Sequence, residues 1–283
     1  MKFISVKKVF AALVILLTSS AFAQNVKRDV PYTKELLTFI DGYFDHAIDS
    51  REKGEELYLA AVNSCPASFT VYQKETHLAR CDYYFGQYIM ETYDLTQLEH
   101  ALDDTSKDFV EPVARNKQIK AEAGSYFEKS MVHADNAIKL KKDAASDAYS
   151  IYAQSLSANC TVQTIGYVLG HGLSISSYAK KALKADPKNG TACFSYYAQE
   201  VYAPGIFGNP NKGRKKMTEY LNDNSLTIEK FDTFNYLCAI AYTYYRQNKF
   251  AEAKSWYKRC LLIYPHNYAV TDLVKKCEAK LNK

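Results

Sequence analysis

The chain has 283 residues, with 36 Lys and Arg against 31 Asp and Glu, a net charge of +5 and 47% hydrophobic residues. Three of the lysines belong to an apolar leader, so the rest carries only +2, too little for the basic face that a nucleic-acid binder presents. The short runs at Lys139, Lys141 and Lys142 and at Arg214, Lys215 and Lys216 read as solvated helix surface.

The leader combines a positive start (Lys2, Lys7, Lys8), an apolar run over 9–17 and a small-x-small site at Ala21-Phe22-Ala23. That run is too short to span a bilayer, and the three parts together predict an export signal over 1–23. No cysteine follows the cleavage site, so a lipid anchor has no acceptor. No later stretch reaches the roughly 18 consecutive apolar residues of a membrane span. The expectation is one soluble domain over 24–283, periplasmic or secreted.

From Tyr32 onward apolar residues recur at three and four spacing without sustained alternation, which predicts helices nearly throughout. Pro66, Pro187 and Pro265 each follow an amphipathic helix pattern, as terminators do. Between them the periodicity predicts irregular helices over 73–93, 113–142 and 144–160, then helices over 191–202 and 212–221. A pair turned at Gln247-Asn248-Lys249 follows, and a final helix over 268–281. At fixed offsets before Pro265 stand Cys260, Tyr257 and Ala253, and before Pro66 stand Ala61, Tyr58 and Gly54. Both sets read small, aromatic, small on one helix face, so that a neighbouring helix can approach closely. Before Pro187 the pattern degrades to Ala182, Ala179 and Ile175.

With Leu237, Ile240, Ala241 and Tyr244 on the preceding helix and Ala253, Tyr257 and Pro265 on the next, residues 234–267 resemble a tetratricopeptide repeat. The chain departs from the family at Leu237, where tryptophan is usual, and at Ala241, where glycine is. The resemblance implies an all-α fold, a superhelical solenoid of helical hairpins with irregular middle helices. It also implies a non-enzymatic binding protein that holds a protein or peptide partner in a groove. Of the 24 tyrosines, Tyr197 and Tyr245 stand beside core-patterned positions and are the expected groove contacts.

The stretch YAPGIFGNPNKG, 202–213, breaks helix with two prolines and three glycines yet carries Ile206 and Phe207. Together with its flanks it resembles, over 196–221, the helical periplasmic T-components of TRAP-type solute transporters. Pro204, Phe207, Gly208 and Lys212 match that pattern, while Asn209 replaces a glycine and Gly213 an alanine. This second resemblance implies a trimer-like accessory handling a small hydrophobic ligand, alongside a transporter component.

Enzyme signatures are missing: there is no GxSxG, HExxH, Walker or Rossmann glycine pattern. His77 and Cys81 have the spacing of half a zinc site, without a second half. His171, between glycines in 166–174, reads as a surface histidine in a helix-to-helix turn rather than part of an oxyanion loop. No catalytic residue, metal or cofactor is expected. Seven cysteines (65, 81, 160, 193, 238, 260, 277) include no CxxC. An odd number leaves at least one thiol without an intrachain partner, and the choice between disulfides and buried thiols stays open.

Overall fold

A computed structural model describes residues 28–93, 117–202 and 208–282. The expected leader, Pro204 and Phe207 lie outside the described residues. Within them the chain is all helical, without strands. The helices in chain order are α1 (Lys34–Phe44), α2 (Arg51–Asn63), α3 (Val71–Tyr93), α4 (Lys117–Lys141), α5 (Ser146–Val162), α6 (Ile165–Ala185), α7 (Gly190–Tyr202), α8 (Pro210–Leu221), α9 (Lys230–Arg246), α10 (Phe250–Cys260) and α11 (Tyr268–Leu281).

Their starts follow from side chains that accept the orphan amides of a first turn. Thr33 caps α1 through Leu36 N, Ser50 caps α2 through Lys53 N, and Thr164 caps α6 through Tyr167 N. Asn209 caps α8, with Pro210 at the first helical position, and Asn267 caps α11. Glu229 and Asp232 form a reciprocal capping box at α9. The α9–α10 turn falls at the expected place, with Asn248 in the left-handed region at φ 57°.

The small-aromatic-small faces are packing faces. Ala253, Tyr257 and Cys260 are buried, as are Gly54 and Ala61, and Tyr58 stacks on Phe85 at 4.2 Å. A Cβ on Gly54 would stand 2.2 Å from the Tyr88 ring, so α2 can reach α3 only with glycine there.

One expectation needs correction. Residues 166–174 are not a turn: they lie inside α6, which runs unbroken from Ile165 to Ala185. A helical glycine costs only about 1 kcal/mol relative to alanine, and the Thr164 cap together with the following turns outweighs it. The middle helices appear near their expected limits, α5 being shifted two residues by the short 3-10 turn Lys142–Ala144.

Each helix packs mainly on its neighbour in the chain, yet the two ends also meet. Phe44 of α1 stacks on Phe231 and Tyr264 at 6.1 and 5.5 Å. The Tyr264 hydroxyl donates to Asp41 at 2.7 Å, and Asn267 Nδ2 donates to the Phe44 carbonyl at 2.7 Å. The largest apolar core accordingly draws on α1, α2, α3, α9, α10 and α11 together.

His46 sits in this junction, its ring 4.0 Å from Tyr268 and its Nε2 3.4 Å from Asn267 Nδ2. Burial lowers its pKa from 6.5 to about 4, against the pull of Asp45. The unfolded chain therefore takes up a proton that the folded chain refuses. Stability from the neutral ring is present above about 6.5 and is lost as pH falls towards 4. Asparagine tolerates the φ of 53° at this position and cannot titrate. We expect His46→Asn to flatten the decline of Tm between pH 6.5 and 4, measured by circular dichroism.

Candidate functional site

Among the described residues, three regions bear on function. The first is a buried charge cluster around residues 28–32. Arg28 donates to Asp232 Oδ2 at 2.9 Å and to Glu229 Oε1 at 3.1 Å, and its side chain is only 3% exposed. Arg80, equally buried, pairs with Asp147 at 3.1 Å and donates to the Val30 carbonyl at 2.7 Å. Asp147 also accepts from Val30 N at 3.0 Å and from Asn189 Nδ2 at 3.3 Å, while Asp232 accepts from the Thr191 hydroxyl at 2.8 Å. The Tyr32 ring lies under both guanidinium groups, 4.1 Å from Arg80 and 5.4 Å from Arg28.

The electrostatics follow from that placement. Burial raises the Asp232 carboxyl above its ordinary value, with Arg28 pulling it back. Burial likewise pushes the Tyr32 phenol up to about 12, against Arg80 and Arg28. A cavity of about 180 Å³ adjoins the cluster, lined by Arg28, Lys141, Ser146, Asp147, Asp186 and Asn189 among others. Its cations are engaged, Arg28 with its carboxylates and Lys141 with Asp29. The donors and acceptors here serve one another, which suits a clamp better than a ligand site.

The second region holds the expected groove contacts, and the structure separates them. Tyr245 is 5% exposed in the main core, 5.5 Å from Phe250. Its ring is not presented at a surface. Tyr197 is half-buried on α7 and packs on Tyr220 of α8 at 5.7 Å. Lys212 pairs with Glu200 across the start of α8, and Asn209 N donates to the same carboxylate at 3.0 Å. Gly208 is half-buried just before that cap. Tyr268 is the exposed tyrosine among those described, at 43%.

The third region, which sequence reasoning missed, is the outer face of α6. Ile165, Leu169 and Leu173 are 74%, 77% and 78% exposed and stand at i, i+4 and i+8, one ridge along the helix. Among the described residues of α6 only Ala179 and Ala182 are buried. Gly166, Gly170 and Gly172 share this stretch, and an added Cβ would meet nothing closer than 3.9 Å at any of them. Unlike Gly54, they answer to no close contact among the described residues. A signal was available: no Asp, Glu, Lys or Arg stands between Asp147 and Lys180. α5 buries most of its share of that uncharged stretch, while α6 leaves its share in water.

No group of three potential metal ligands occurs among the described residues, where His77 Nε2 takes the Ala61 carbonyl at 2.9 Å and stands 3.6 Å from Cys81 Sγ. No described helix is long and apolar enough to cross a membrane. No protein-family model matches the chain, and no curated protein matches it.

Removing one member of a buried charge pair leaves its partner unpaired, at a cost of about 3–5 kcal/mol. Arg28→Ala is therefore expected to lower the urea midpoint strongly while the m-value stays unchanged, whereas Arg28→Lys should recover part of the loss.

Proposed function

We propose that the chain is an exported, non-catalytic binding protein built of tetratricopeptide-like hairpins, and that the outer face of α6 docks an amphipathic helix of a partner protein. The observation that supports this is the ridge of Ile165, Leu169 and Leu173, left three-quarters exposed on a well-formed helix. A contiguous apolar face of this kind is costly in water and is the usual mark of an interaction surface. Stacked hairpins leave such outer faces open without any need for catalytic residues.

The chemistry of the face narrows the partner. Gly166 and Gly170 flank the ridge with open space, which lets another helix backbone come close. Lys180 and Lys184, both exposed, follow on the same side about three turns beyond Leu169 and Leu173. The matching occupant is a helix with an apolar stripe that ends in acidic residues, held helix-on-helix. The binding surface thus lies on α6 rather than at Tyr245, which is in the core, or Tyr197, which packs on α8.

The test uses a labelled helical peptide of about 20 residues with an i, i+4 leucine stripe and glutamates in its last turn, titrated against the full mature chain. We expect saturable binding that Leu169→Glu weakens at least about tenfold, or 1.4 kcal/mol, with Tm unchanged because the side chain is exposed. Replacing Lys180 and Lys184 by glutamate should weaken it further, and a lysine-tailed peptide should bind poorly. Equal binding to the wild type and Leu169→Glu, or none to either, would sink the α6 assignment. Export is tested separately: the intact mass of protein from an extracytoplasmic fraction should begin at Gln24, and an uncleaved leader would count against it.

A further inference from the structure

Among the seven cysteines, Cys238 of α9 and Cys260 of α10 are brought together, Sγ to Sγ at 3.4 Å. The contact follows from the antiparallel packing of these helices about the Asn248 turn, which places the two residues opposite each other on facing sides. Cys260 is fully buried and also directs its thiol to the Trp256 carbonyl at 3.5 Å, whereas Cys238 is half-buried and within reach of a solute. From van der Waals contact, a disulfide needs a further approach of roughly 1.4 Å.

We propose that Cys238 and Cys260 form a reversible disulfide that staples α9 to α10. The oxidant is a low-molecular-weight disulfide. The Cys238 thiolate attacks one sulfur of that disulfide and releases one small thiol, leaving a mixed disulfide on Cys238. The Cys260 thiol loses its proton, attacks the Cys238 sulfur and expels the second small thiol. Two protein thiols are oxidised and one small disulfide is reduced to two thiols. Cys238 is the entry point because of its exposure, and Cys260 resolves the adduct because it is already in contact.

The staple lies in the unit that carries the repeat pattern and that also contacts α1 through Phe231, Phe234 and Tyr264. Cross-linking it constrains the unfolded chain and raises the temperature at which this unit opens. The chemistry in buffer is independent of the α6 reading and of export. Export determines only which redox state prevails, since disulfides persist in oxidising compartments.

The experiment incubates the full mature chain in buffers of defined oxidised-to-reduced glutathione ratio, unfolds it at low pH in guanidinium chloride to stop exchange, traps thiols with N-ethylmaleimide and counts them by intact mass. Of the seven thiols, five should remain trappable after oxidation, with one cross-linked peptide joining Cys238 to Cys260 after digestion. Oxidation should raise Tm by about 5 °C or more. Cys238→Ser and Cys260→Ser should each abolish both the cross-link and the Tm rise. Their Tm in the reduced state, compared with that of the reduced wild type, confirms that they fold. Seven trappable thiols in fully oxidised glutathione, glutathione retained on Cys238 without a cross-link, or a cross-link between other cysteines would each overturn the proposal.

Discussion

The rest of the structure depends on a charge pairing that joins the two ends of the chain. Arg28 stands just before the first helix and reaches Glu229 and Asp232, which open α9 about two hundred residues later. The same carboxylates form the capping box of α9, so the first turn of that helix and the entry of the N-terminal segment are set by one cluster. Arg80 of α3 and Asp147 of α5 extend it through Val30, whose amide and carbonyl both bond into it. Charges buried in this way tolerate little displacement, because each is desolvated and depends on its partners. Val30, α3, α5, α7 and α9 are thereby registered against one another.

That clamp explains why the helices, which otherwise pack on their neighbours in sequence, also share a core between first and last. With residues 28–32 held on α9, α1 is carried against Phe231, Phe234 and Tyr264, and the aromatic rings close the junction. Aromatic pairs at 5 to 6 Å in edge-on and stacked arrangements add to the area buried there. Other tyrosines pair ring to ring elsewhere, as Tyr152 does with Tyr178 and Tyr202 with Tyr242, and among the described tyrosines only Tyr268 is exposed. His46 lies at the same seam, so the neutral form of one imidazole contributes to keeping the ends together.

The α6 face contrasts with this economy of contacts. Where glycine is needed inside the molecule, a neighbouring ring or backbone explains it, as Tyr88 explains Gly54. Around Leu169 three glycines and three large apolar side chains have no such explanation among the described residues. The helix itself is sound, capped by Thr164 and packed through Ala179 and Ala182 on its inner side. A stable helix whose outer face is apolar along Ile165, Leu169 and Leu173 and then basic at Lys180 and Lys184 is therefore the surface on which the proposed binding function rests, while the contact between Cys238 and Cys260 concerns the stability of a different unit.

The sequence by itself determined the helical class, most helix limits and the hairpin turned at 247–249, because periodicity, capping side chains and prolines act locally and are read within a few residues of where they work. It located the small-aromatic-small faces for the same reason. It misread 166–174 as a turn, since glycine is only a weak breaker once a helix is capped and continued. It also placed Tyr245 on a groove when the ring belongs to the core, because position on a helix face does not say which neighbour covers that face. Only the tertiary structure decided that Arg28 meets Asp232, that Cys238 touches Cys260 and that the ridge of α6 is left uncovered. Each of these depends on which helices lie side by side, and that is set by long-range packing and charge pairing rather than by any local pattern.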